Sequence, residues 1–144
     1  MYMALDIARY IIERCNSTNK TISNLKLQKI LYFIQAEFLI SKNQPCFSEK
    51  ILAWDFGPVV PVVYYKYRMF GSGNIPCIKK SQISHLISPT DKTLLNGVID
   101  ECAEYSASAL VEITHNQTPW IMAYEPNKNN EITIKSIKKY FQED

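Results

Sequence analysis

The stretch from residue 24 to 41 constrains this chain most. Leu27, Ile30, Leu31, Ile34 and Phe38 recur at steps of three and four, the period of a helix face. Ser23 or Asn24 stands ready to cap its start, and the Ser-Lys-Asn-Gln-Pro run over residues 41–45 ends it with turn formers. At 1.5 Å per residue such a helix is about 27 Å long, roughly the width of a small domain. No other segment is as long, so the remaining elements are expected to pack around this one.

The neighbouring segments supply helices. Residues 4–15 place Leu5, Ala8, Ile12 and Cys15 on one face, with Arg9, Glu13 and Arg14 between them. Ser88-Pro-Thr-Asp91 combines an N-cap, a first-turn proline and an acid three residues on, followed by Leu94, Leu95, Val98, Ile99 and Cys102. Ser106 caps a further helix that points Ala109, Leu110 and Ile113 inward and ends at His115-Asn116. Thr118-Pro119 reads as another cap-then-proline start, running through Ala123, and residues 132–141 as a brief extended piece and a last helix. Between residues 47 and 55 the period shifts toward two. Gly57-Pro58 then marks a helix entrance, with Pro58 in the first turn and Pro61 behind it, and the helix runs on through Tyr64 to Phe70. Residues 75–78 are the expected partner of the strand near Ile51. The expected fold is therefore mainly α: a compact single-domain helical bundle over residues 1–144 with a small two-stranded β element.

Composition closes off several function classes. The 144 residues carry 16 Lys and Arg against 14 Asp and Glu, a net charge of +2 without a basic stripe, so nucleic acid is not the expected partner. A helix-turn-helix reading of the first two helices, with Lys26 and Lys29 facing phosphate, is the alternative; the connector over residues 16–22 is longer than the usual three or four residues, and the second helix has a wide apolar face. No apolar run reaches the roughly 20 residues of a membrane helix. The first twelve residues lack the basic-then-apolar order of a signal peptide, and the four Cys form no C-x-x-C pair, which together point to a cytoplasmic protein with reduced thiols.

Catalytic sets are equally sparse. With only His85 and His115 and no Walker loop, H-E-x-x-H, G-x-S-x-G or G-x-G-x-x-G, the sequence offers no catalytic residues, no metal ligands and no cofactor site. A small Cys/His hydrolase built on His115 lacks a local signature. At a helix end, His115 is expected to bond the last carbonyls, and Trp120 to be a core aromatic whose N–H finds a carbonyl, as Trp54 would also do.

Three stretches taken together carry more information than any one: ISNLKLQKILYFIQ over residues 22–35, ILAWDFGPVVPVVY over 51–64 and LVEITHNQTPW over 110–120. Their order and spacing resemble the Panacea domain, known from SocA-like antitoxins and phage-associated proteins. The matching positions are Lys26, Gln28, Lys29 and Gln35; then Trp54, Gly57, Pro58, Pro61 and Tyr64; then Thr114, His115, Pro119 and Trp120. Where many relatives carry an acid between the His and the Pro, this chain has Asn116, Gln117 and Thr118. The resemblance implies a non-enzymatic antitoxin that binds a cognate protein toxin, usually encoded beside it and often on mobile elements. One relative acts as an adaptor that delivers its toxin to a Clp protease. The motif residues are candidate partner contacts or scaffold, and any recognition surface shared by one fold with many toxins is expected to lie outside them.

Overall fold

Serine hydroxyls start the helices where local chemistry places them. Ser23 precedes α2 (Asn24–Lys42) and accepts the Lys26 N–H at 3.2 Å. Ser88 precedes α4 (Pro89–Ala103) and accepts from Asp91 at 3.2 Å, and Ser106 precedes α5 (Ala107–His115) and accepts from Ala109 at 3.1 Å. Each bond satisfies one of the donors that a helix start leaves free. Before them lies α1 (Ala4–Ser17), and after them α6 (Thr118–Ala123) and α7 (Ile134–Gln142). These elements come from a computed structural model that describes residues 1–77 and 82–142.

α2 is the axis of the fold. α1, α3 (Pro61–Tyr67), α4, α5, α7 and the short strand β2 (Gly57–Val59) all pack against it, and one hydrophobic core surrounds it. The sequence pattern shows a single apolar stripe, yet the helix is buried nearly all round. Its other faces carry Asn24, Lys26, Gln28, Lys29 and Gln35, which are buried as well. Buried polar groups persist only when hydrogen-bonded, so their partners decide what this helix organises.

The β element differs from the expected one. Three short strands form an antiparallel sheet in the order β2-β1-β3, namely β1 (Ile51–Trp54), β2 (Gly57–Val59) and β3 (Glu131–Ile132). Ile75 joins no strand: its N–H bonds the Ile22 carbonyl at 2.8 Å, while Ile78 lies outside the described residues. Pro58 does not open a helix. Asp55 and Phe56 make a two-residue turn, Trp54 pairs with Gly57, and Pro58 pairs with Ala53, so α3 begins only at Pro61. β2 is an edge strand, where a missing N–H is tolerated. α3 continues as a 3₁₀ turn (Arg68–Phe70) that stops at Gly71. At α6, Thr118 is the first helical residue rather than the cap, because Gln117 precedes the helix with its side-chain oxygen accepting from the Tyr32 hydroxyl at 2.7 Å. The fold is mainly α, a single compact domain. Among the described residues no helix is long and apolar enough to cross a membrane, and no group of three or more His, Cys, Asp or Glu side chains could hold a metal ion.

Candidate functional site

The buried polar side chains of α2 have a common destination. Gln28 Oε1 accepts the Val60 N–H at 2.9 Å, while its Nε2 donates to Asn24 Oδ1 at 2.9 Å. Lys29 Nζ donates to the Pro58 carbonyl at 3.0 Å. Asn24 Nδ2 donates to the Tyr64 carbonyl at 3.0 Å. Gln35 donates to the Phe47 carbonyl at 2.8 Å and accepts from the Cys46 N–H at 2.8 Å, clasping the segment that leads into β1. These contacts hold backbone groups on both sides of the β1–β2 hairpin that would otherwise be buried without partners. Lys26 turns the other way and donates to the Ala103 carbonyl at 3.0 Å, joining α2 to the end of α4.

Lys26 is 8% exposed and Lys29 0%. The two cations that a helix-turn-helix would present to phosphate are therefore inside the protein, and α2 cannot lie in a DNA groove. This removes the geometric basis of the helix-turn-helix alternative.

Burial pulls the Lys29 ammonium down from an ordinary 10.5 to about 7, because one carbonyl replaces the water that solvates the charged form. The unfolded chain holds this proton more tightly than the folded one. The cost to stability is therefore complete below about pH 7 and is relieved as pH rises toward 10.5. Between about pH 7 and 8.5, before thiols ordinarily titrate, wild-type stability should climb relative to Lys29→Met by up to about 1.4 kcal/mol per pH unit. Denaturant melts at stepped pH read this directly; parallel profiles for the two proteins would contradict the desolvated lysine.

A second set of anchors comes from α5 and α6. Thr114 is buried, with its hydroxyl donating to the Val111 carbonyl at 3.0 Å and lying against Gly57. Pro119 is buried in the first turn of α6. Trp120 Nε1 donates to the Trp54 carbonyl at 2.8 Å, as a core indole was expected to do. The His115 ring stacks on Trp120 with centroids 4.0 Å apart, and Trp120 stacks on Tyr124 at 4.6 Å. The Tyr124 hydroxyl donates to Asp55 in the hairpin turn. His115 does not cap its helix by a hydrogen bond. The last-turn carbonyl of Glu112 is taken by Asn116 Nδ2 at 2.9 Å, and the buried His115 Nε2 has no hydrogen-bond partner. Stacking leaves the ring flat on the indole, so it cannot turn toward the helix end.

His115 thus touches no cysteine sulfur through Nε2. Cys15, Cys46 and Cys102 are buried free thiols, and desolvation raises all three, Cys102 to about 12. A thiol held in that direction is the reverse of an activated nucleophile.

The opposite side of the hairpin carries a different, partly exposed set of side chains. Trp54 meets Tyr64 edge-on at 5.1 Å and Tyr65 at 6.2 Å, and its Nε1 is unpartnered, unlike the carbonyl-bonded indole expected there. Phe56, at the tip, is 66% exposed. The Arg68 guanidinium lies 5.3 Å from the Tyr65 ring centre. Beside them opens a groove of about 620 Å³, lined among others by Leu25, Trp54, Phe56, Tyr64, Arg68 and Lys128. Of the residues singled out in sequence, only Gln28, Trp54 and Tyr64 line this groove. Pro61 is half-buried at the start of α3, and the others brace the hairpin, the segment leading into it or the α2–α4 contact. Phe56, Arg68 and Lys128 lie at motif gaps or outside the motifs. The one sequence signal for Phe56 is a large apolar residue immediately before Gly57, where the pattern alone predicts a helix entrance.

A family described as "Antitoxin SocA-like, Panacea domain" matches residues 27–121. The chain is also 33% identical to Antitoxin SocA of Caulobacter vibrioides (strain NA1000 / CB15N) over 148 residues, which covers 95% of this chain and 79% of that protein. No solved structure matches. The matched region runs from the α2 anchors through the hairpin to the Trp120 stack, and on these grounds the chain belongs to the SocA-like, Panacea-domain antitoxin family.

Proposed function

We propose that this protein is a non-enzymatic antitoxin that neutralises a cognate protein toxin by binding it directly in the cytoplasm. Family membership supports the antitoxin role. The observation that carries direct binding is the division of labour at the hairpin, whose backbone is gripped from inside by Gln28, Lys29 and Trp120 while Phe56 is exposed at the tip and the half-buried Trp54 lines the groove beside it. A braced, partly exposed aromatic surface binds a partner with little ordering cost.

The test begins with the reading frames on either side of the gene. One of them, expressed alone, should stop growth, and co-expression of this chain should restore it. The toxin should then co-purify with this protein at a fixed ratio. Rescue without co-purification would contradict direct binding, and rescue of no neighbour would contradict the antitoxin role. Toxin lifetime in rescued cells separates occlusion, in which the toxin persists, from delivery to a Clp-type protease, in which it disappears.

A further inference from the structure

The groove beside the hairpin has a charge pattern as well as a shape. Arg68 reaches it from the 3₁₀ turn after α3, and Lys128 from the segment between α6 and β3. Neither has an ion-pair partner among the described residues. Asp55, the one carboxylate in the lining, is engaged by the Tyr124 hydroxyl. Between these cations the wall is apolar and aromatic: Leu25, Trp54, Phe56 and Tyr64. Two cations without ion-pair partners against one carboxylate leave the lining with a net positive charge around an aromatic floor, which complements an apolar side chain flanked by acids, and charge complementarity of this kind fixes register and speeds encounter.

We infer that this groove is the toxin-binding surface, and that its occupant is a short toxin segment in which an apolar, preferably aromatic, side chain is flanked by carboxylates. The inference rests on the antitoxin reading above. The groove's volume of about 620 Å³ falls within the roughly 300–1,000 Å³ range of concave binding sites, enough for an anchoring side chain and its neighbours. Phe56 is the exposed counterpart that such an anchor covers, and large aromatics of this kind dominate interface energies. The turn that carries Phe56 is held at Trp54 O by Trp120 and at Asp55 by Tyr124, so the site is formed before the partner arrives. A nucleic acid fits less well. Two cations are far fewer than the roughly 6–10 phosphate contacts of a salt-sensitive binder.

The test uses the full chain and an inactivated variant of the toxin identified by rescue, with affinity read by calorimetry. Phe56→Ser and Arg68→Glu alter the groove. Met122→Ser, at a side chain 82% exposed on α6 and outside the groove lining, is the control. Circular dichroism melts confirm that all three remain folded. Phe56→Ser and Arg68→Glu should each weaken toxin binding by about tenfold or more, while Met122→Ser binds as wild type does. A synthetic peptide with an aromatic residue between two acids should compete with the toxin, and its lysine-flanked counterpart should not. Wild type that binds no growth-arresting neighbour overturns the antitoxin reading and this inference with it. Wild type that binds while both groove variants bind unchanged overturns the groove assignment alone. Displacement of the toxin by a poly-uridine RNA, with no competition from the acidic peptide, overturns the protein-segment assignment.

Discussion

Gly57→Val should remove a large part of the stability of the fold. Gly57 has φ +107°, a region that L side chains rarely adopt and that a β-branched one avoids most strongly. Space is lacking too: a Cβ there would lie 2.6 Å from Lys29 Cε and 2.9 Å from Thr114 Oγ1. Strain and overpacking together amount to about 2–6 kcal/mol, against about 5–15 kcal/mol for a whole domain. A drop in melting temperature of roughly 10 °C or more is expected, and Gly57→Ala should fall most of the way, since the clash begins at Cβ. Melting at the wild-type temperature would show that the hairpin can shift away from α2, and the rigid-hairpin account would fail.

The second large effect is expected at Trp120. Trp120→Ala removes the indole between His115 and Tyr124 and the donor to the Trp54 carbonyl. The cost should be about 3–5 kcal/mol, toward the lower end because the side chain is only half-buried. Trp120→Phe keeps a ring in the stack and loses the hydrogen bond, so about 1 kcal/mol is expected. His115→Ala should lie nearer the phenylalanine variant. It loses a stacked ring worth about 0.5–1.5 kcal/mol but also removes a buried nitrogen that has no partner. If these residues act as bracing, all three variants lose toxin rescue only in proportion to the folded protein lost. A His115→Ala protein with wild-type melting that no longer rescues would make His115 a contact residue.

The parts of this fold that were legible in sequence depend on neighbours within one turn. Ser23, Ser88 and Ser106 cap helices because each side chain reaches an N–H three residues ahead, a relationship written in the local order of residues. The hairpin is not legible locally, because Gly57-Pro58 is compatible with both a helix entrance and an edge strand, and only pairing with Trp54 decides between them. Lys29 shows the deeper difficulty. A lysine in an amphipathic helix belongs on the wet face by pattern, and nothing in the sequence says that a proline carbonyl 29 residues away will take its ammonium. The groove is hidden for the same reason, since Arg68 and Lys128 come to line one groove only in three dimensions. The motif residues were visible as a constellation, and their geometry makes most of them braces rather than outward contacts.

The hairpin's braces span long stretches of chain: 29 residues for Lys29 to Pro58, 32 for Gln28 to Val60, 66 for Trp54 to Trp120 and 69 for Asp55 to Tyr124. Closing such loops carries an entropic cost before the contacts return anything, so pairings of this range form late in folding. The order of events follows. Helical segments such as α2 and α4 are expected to form early from local interactions, and the Phe56 turn to settle only after α6 docks, an order that hydrogen-exchange pulse labelling during refolding would read. A chain still emerging from the ribosome, or one that has lost its α6 contacts, does not display the turn in its final position. If the groove is the surface a toxin binds, recognition there is tied to completion: such a partner counts only finished copies of the protein.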